Sequence, residues 1–253
     1  MILNKIKNFL KRHIYNFVLK PKININSDEN KSIQIYEYEL GTKRLKDILL
    51  KYNFKTFIDI GASYGDFINL VKENKDNIEI LGFEPVLSVF SSLQDRYSNV
   101  DQISLYNLAL GDFDGSVDFH ENEYSYSSSI LPIGDLHVKE FPFTKNYKLS
   151  EVKIASLDNV LSNKNLEKPI FIKVDVQGYE GRVILGGKKT FSQADIVIVE
   201  LSFCELYLGQ PLFETINQEL NQLGLFYAGC ISQLCSPDDN SILQQDALYL
   251  RRF

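Results

Sequence analysis

No run of apolar residues in this chain comes near the roughly 20 needed to cross a bilayer, so no membrane-spanning helix is expected. Residues 1–22 do not fit a secretory signal either, because lysines and Arg12 interrupt the apolar positions throughout. Cysteine is scarce. Cys204, Cys230 and Cys235 fall at no metal-binding spacing, and their odd number suits ordinary buried thiols in a reducing cytoplasm. Positive charge is short outside the leader. Residues 1–22 hold six bases and no acid, which leaves 21 bases against 33 acids, or −12, for the rest of the chain. An acidic body excludes a general nucleic-acid binder.

What is present begins with that leader. Ile2, Leu3, Ile6, Phe9, Leu10, Ile14, Phe17 and Val18 recur at roughly helical spacing beside the six bases. Such a basic amphipathic helix can pack on its own domain, pair across a homodimer, or lie on an anionic membrane through residues 1–20. A polar linker follows, so residues 1–31 read as leader and linker and 32–253 as one domain.

The domain alternates continuous apolar strands with amphipathic stretches. Strands are expected at Thr56–Ile60, Ile78–Phe83, Gln102–Leu110, Ile170–Val176 and Ile196–Leu201, with helices over Gly65–Asn74, Ser88–Tyr97 and Glu205–Leu223. Leu225–Cys230 and Ala247–Arg251 read as a closing antiparallel pair. This predicts an α/β fold: a Rossmann-like, seven-stranded, mostly parallel sheet with a C-terminal antiparallel hairpin and helices on both faces. Residues 116–150 break the rhythm with tyrosines, prolines and Ser127-Ser128-Ser129, and read as an insertion covering the site.

Strand one ends on an acid and a small-residue turn, Asp59-Ile60-Gly61-Ala62-Ser63-Tyr64-Gly65. Nineteen residues after Gly65, strand two ends on Glu84. Strand, glycine turn, helix and a second strand closed by a carboxylate make half of a nucleoside-binding unit, in which Glu84 can accept from a ribose diol. A dinucleotide would want glycine where Ser63 and Asp66 stand, and Asp66 in the first helical turn repels a pyrophosphate. S-adenosylmethionine carries a sulfonium and an ammonium instead, and Asp59 suits that zwitterion while Glu84 suits its ribose. An NAD-dependent oxidoreductase and a non-catalytic cofactor-binding module are the rival classes.

Further on, Ile172-Lys173-Val174-Asp175-Val176-Gln177-Gly178-Tyr179-Glu180 is followed by Val183-Ile184-Leu185-Gly186-Gly187. With Phe57–Ala62, Phe83-Glu84-Pro85, Ser127–Ser129, Ser156-Leu157-Asp158, Val199-Glu200-Leu201 and Asp246-Ala247-Leu248 in this order, the chain resembles the FkbM-type methyltransferases over roughly residues 55–251. The resemblance implies that Asp59, Gly61, Ala62, Ser63 and Gly65 line the cofactor, with Glu84 and Pro85 at its ribose. It puts Leu110, Gly111 and Asp112 beside the adenine, and Lys173 and Asp175 at the methyl-transfer end. Gln177 stands where that family commonly has Glu, and Ser63 where Asn is common. A structural Lys173–Asp175 ion pair is the alternative reading of those two residues.

The chemistry implied is S-adenosylmethionine-dependent O-methylation, and a sugar hydroxyl is the expected acceptor, on a nucleotide-activated precursor of a capsule or surface polysaccharide. Other small-molecule, lipid or glycan acceptors fit the same family. A weakly acidic hydroxyl needs a base, for which Asp175 is the first candidate and Glu180 or Glu200 are alternatives. Whether these acids instead hold a divalent cation is left open. Tyr126, Ser127, Ser128 and Ser129 are candidate acceptor contacts. Lys139, Lys145, Lys148, Arg182, Lys188 and Lys189 are available for phosphates. His13 lies in the leader; His120 and His137 in the insertion read as solvated surface residues, with a base at the lid as the alternative.

Overall fold

The computed structural model describes residues 40–41 and 43–252; the basic leader and linker expected over 1–31 lie outside them. Residues 43–51 form helix α1. Then follow β1 (Thr56–Ile60), α2 (Asp66–Asn74), β2 (Glu79–Phe83), α3 (Leu87–Tyr97), β3 (Ile103–Tyr106) and β4 (Ala109–Gly111). The insertion holds β5 (Gly115–Asn122), α4 (Asp135–Glu140) and β6 (Tyr147–Ser156), and α5 (Leu157–Val160) closes it. The second half runs β7 (Ile170–Val174), α6 (Glu180–Gly186), α7 (Lys188–Phe191), β8 (Ile196–Ser202), α8 (Phe213–Gln222), β9 (Leu225–Cys235) and β10 (Ile242–Arg251).

Seven strands form one sheet in the order β3-β2-β1-β7-β8-β10-β9, with β10 antiparallel to both its neighbours and the rest parallel. The expected seven-stranded α/β sheet with a reversed C-terminal hairpin is what the chain forms. Every residue of β1 is buried, as a central parallel strand covered on both faces requires. Strand alternation sends Ile58 and Ile60 into one core, with Ile172, Val174, Val183 and Ile216. Phe57 enters the other, with Phe171, Ile68, Leu49 and Leu93.

Four local expectations are corrected. Strand three is two strands, because at Asn107 the chain leaves the main sheet, the Asn107 side chain donating to the carbonyls of Glu84 and Pro85 at 3.0 and 2.8 Å. The insertion folds with β4 as a second sheet, β4-β6-β5. Its β5 and β6 pair from Gly115–Ile154 to Asn122–Tyr147, with α4 in the connection. The helix expected from Glu205 begins at Phe213, since Pro211 cannot sit in a helix interior and Gln210 Oε1 accepts the N–H groups of Leu206 and Tyr207 in a turn instead. The three cysteines are free and half-buried rather than buried. His137 is buried against Phe141 and Tyr207, not solvated, and burial lowers its pKa to about 4.

Candidate active site

The carboxyl ends of β1, β2 and β7 and the near face of the insertion line one open cleft. Its floor is the β1 turn, and the turn is built by two glycines with left-handed backbones. Gly61 has φ +81°, and a Cβ there would stand 1.9 Å from the Asp175 carbonyl oxygen. Its freedom therefore lets the β7 backbone cross close over the end of β1. Gly65 has φ +77°, and a Cβ there would meet Leu93 at 2.4 Å, so it seats the turn against α3.

Glu84 closes β2 and is only 6% exposed. The backbone N–H groups of Ser63 and Val86 donate to its two carboxylate oxygens at 2.9 and 2.8 Å. Burial outweighs these bonds and lifts its pKa to about 7. One oxygen thus ties the β1 turn to the β2 end, and each retains a lone pair toward the cleft. Beyond it the lining turns apolar, with Val86, Val89, Leu108, Ala109 and Leu110, joined by Phe119 and Ile130 from the insertion. A buried acid followed by an apolar slot fits a ribose and its base. Where a dinucleotide phosphate would sit, Asp66 opens α2 and faces Arg96 at 3.6 Å. The residues present thus fit S-adenosylmethionine.

The cleft is also lined by Asp175, Val176 and Gln177 of the β7 loop and by Ser125, Tyr126 and Ser128 of the insertion. Tyr126 lies 6.1 Å from Tyr64 of the β1 turn and 5.4 Å from Tyr124, ring centre to ring centre, so aromatic rings bridge turn and insertion. Behind Asp175, charges are packed along one face of the sheet. Strand register places Asp59 beside Lys173, and Glu200 beside Asp246. Lys173 Nζ lies 3.6 Å from Asp59 and 3.3 Å from Asp175, and it rests over the Phe67 ring. Asp59 is fully buried and its oxygens accept no hydrogen bond, and burial raises its pKa to about 6. Desolvation pulls Lys173 downward, but Asp175 and Asp59 outweigh it and keep its pKa above the usual range.

Of the residues singled out from sequence, Gly61, Ser63, Glu84, Pro85, Leu110, Tyr126, Ser128 and Asp175 line the cleft. Others do structural work outside that lining. Ala62 is buried in the core, and Gly111 packs against Ile154 and Tyr179. Asp112 pairs with Arg182 at 2.8 Å. The Ser127 carbonyl lies 3.3 Å from the Tyr207 hydroxyl oxygen, and Ser129 Oγ donates to the Gln177 carbonyl at 2.7 Å. Glu180 accepts the N–H groups of Val176 and Gly178 at 3.1 and 3.2 Å, and burial lifts its pKa to about 7. Glu200 accepts from Gln177 and Gln244 at 2.8 and 3.0 Å, and its pKa is raised by burial and then by Asp175. Sequence reasoning missed Asn107, Tyr207 and Gln244, none of which sits in a recognisable motif. Among the described residues no group of three or more His, Cys, Asp or Glu is arranged to hold a metal ion. No helix among them is long and apolar enough to cross a membrane.

Fold and cleft together define an S-adenosylmethionine-dependent methyltransferase of the Rossmann-like class. The methyltransferase FkbM domain matches residues 59–227, and the chain belongs to that family. It is 28% identical over 187 residues to the 2-O-methyltransferase NoeI of Sinorhizobium fredii (strain NBRC 101917 / NGR234), covering 67% of this chain and 76% of that one. Among solved structures it is similar to a putative methyltransferase from Thermobifida fusca, with a TM-score of 0.49 and 9% identity over 99% of this chain and 88% of that one. It is also similar to Aeropyrum pernix fibrillarin in complex with natively bound S-adenosyl-L-methionine, with a TM-score of 0.44 and 10% identity over 82% and 74%.

Proposed function

We propose that this protein O-methylates a sugar hydroxyl. The observation that carries the reading is the continuity of the cleft: Glu84 and Asp175 share one lining with Ser125, Tyr126 and Ser128 of the insertion. The relative NoeI, a 2-O-methyltransferase, supports oxygen as the methyl acceptor. When bound, S-adenosylmethionine supplies an electrophilic methyl group on a sulfonium. Glu84 accepts from the ribose, and the apolar slot at Val86–Leu110 takes the base. Tyr126 offers a flat face for a sugar ring, and Ser125 and Ser128 offer hydroxyls. Asp175 takes the acceptor proton as the new C–O bond forms. Lys173 holds the Asp175 carboxylate from behind.

The nucleotide-activated form of the acceptor has less support than the sugar itself. Among the described residues no lysine or arginine lines the cleft. Lys139 is paired with Glu140 and Asp238, Lys148 with Glu121, and Arg182 with Asp112. Membrane or self-association through residues 1–20 is proposed from sequence alone. The test is a mass-spectrometric screen of methyl glycosides, oligosaccharides and nucleotide sugars with S-adenosylmethionine, with and without a chelator. A product heavier by one methylene supports the reading and identifies the acceptor. Cofactor binding without turnover on any sugar refutes it.

A further inference from the structure

Gln177 sits in the β7 loop with a left-handed backbone, φ +57°, which non-glycine residues adopt at a cost. The surroundings hold it there. Its carbonyl accepts the Ser129 hydroxyl at 2.7 Å, and the next residue, Gly178 at φ +96°, packs under the Tyr207 ring. The side chain is held as firmly. Its single amide nitrogen lies 2.8 Å from Asp175 Oδ1 and 2.8 Å from Glu200 Oε2, so its two protons have one carboxylate each. Its oxygen accepts the Tyr207 hydroxyl at 2.8 Å. With both acids ionised, the opposite amide orientation would aim an oxygen at two carboxylates.

We propose that Gln177 is a positioning residue for methyl transfer: a neutral two-proton bracket, oriented by Tyr207, that holds Asp175 and Glu200 side by side and keeps Asp175 presented to the cleft as a proton acceptor. This rests on the reading of Asp175 as base. The bracket matters because of what surrounds Asp175. Lys173 faces it from its own strand, Asp59 lies beyond on β1, and Glu200 faces it from β8. Asp246 lies on β10, and Glu180 opens α6. Four further acids and one lysine leave no room for another negative charge. A glutamate at 177, the residue common in the family, would put a third carboxylate within hydrogen-bonding distance of two others, and could take over the bracket only with a proton or a cation of its own.

In the transfer, the sulfonium carbon–sulfur bond breaks and its electron pair stays on sulfur, giving a neutral thioether. The acceptor oxygen bonds to the methyl carbon, and its proton passes to Asp175. Gln177 gives up no proton; it keeps one carboxylate oxygen occupied and leaves the other to Lys173 and the acceptor.

The test compares wild type, Gln177→Glu and Tyr207→Phe. Aspartate carrying a 13C-carboxyl label is titrated by NMR, with the Asp175 signal identified by its loss in Asp175→Asn. Gln177→Glu should raise the Asp175 midpoint by about one pH unit or more, the scale of an adjacent like charge. Tyr207→Phe, which frees the amide to turn, should raise it by less and needs no new charge to be accommodated in the fold. With any acceptor found, the acid limb of kcat should move with these midpoints, while the S-adenosylmethionine Kd stays within about twofold, a few tenths of a kcal/mol. Midpoints and acid limbs unmoved in both variants overturn the proposal. If wild type methylates no acceptor but the midpoints move as stated, the bracket stands and the catalytic reading of Asp175 falls.

Discussion

Glu84 makes a quantitative claim about cofactor binding. Its pKa rises from 4.5 to about 7 in the free fold, chiefly through burial, which corresponds to about 3 kcal/mol held against its ionised form. Hydrogen-bond donors from a ribose diol and the positive charge of S-adenosylmethionine both favour the carboxylate, so binding must lower that pKa. The sign follows from linkage. Below pH 7 the free protein holds a proton that the complex does not, so affinity rises with pH toward 7 and levels off above it, by up to about tenfold per pH unit. With a bound midpoint well below 6, Glu84 should release about 0.9 proton on binding at pH 6 and about 0.03 at pH 8.5. Asp59, with a midpoint near 6, adds a smaller release at pH 6. Calorimetry of S-adenosylmethionine binding in buffers of different ionisation enthalpy counts these protons, and Glu84→Ala isolates the Glu84 share. That substitution should weaken binding by about 1–3 kcal/mol at pH 8.5. At pH 6, where wild type must first give up the proton, the deficit should shrink by about 1.4 kcal/mol. Equal proton release in wild type and Glu84→Ala at pH 6 would falsify the assignment of Glu84 to the ribose.

Other expectations can be measured without an acceptor, apart from one. Glu180 is 4% exposed with a pKa raised from 4.5 to about 7; the stability this confers is complete below pH 4.5 and lost as pH rises through 7. Urea unfolding of the free protein should therefore show Glu180→Gln gaining about 2–3 kcal/mol relative to wild type between pH 5 and pH 8; parallel pH profiles would refute the burial argument. Gly61→Ala forces a methyl group into the Asp175 carbonyl, and should lower stability by more than about 2 kcal/mol; a melting temperature within a degree or so of wild type would contradict that crossing. Asp175→Asn should cut kcat by roughly 10²–10⁴-fold on whatever acceptor is found, with cofactor affinity preserved. A loss confined to KM would make Asp175 a binding residue instead.

The sequence made the sheet legible because each central strand is a short apolar run of its own, and the reversed final pair showed in the spacing of Leu225–Cys230 and Ala247–Arg251. It could not show the second sheet. Residues 115–122 and 147–156 alternate weakly and have exposed outer faces, with Leu149 at 61% exposure, so local pattern alone reads them as loop. The cleft's lining was legible where one strand end carries it, as at Glu84 and Asp175. It was not where the partners lie far apart in the chain.

Two residues show the difference in physical terms. Gly61 was read as a glycine that a ligand approaches, yet the atom that fills its missing Cβ position is the Asp175 carbonyl oxygen, more than a hundred residues downstream. The glycine turn therefore does two jobs, shaping the cofactor floor and letting the β7 loop close over it so that Asp175 lies beside the β1 turn. Gln177 read from sequence as a lost carboxylate. In the fold its amide satisfies two acids from different strands and is oriented by a tyrosine thirty residues away. A carboxylate in its place would have needed a proton or a cation, and the amide supplies the same neutrality through two N–H donors. That amide, rather than a carboxylate, is what hydrogen-bonds to both Asp175 and Glu200.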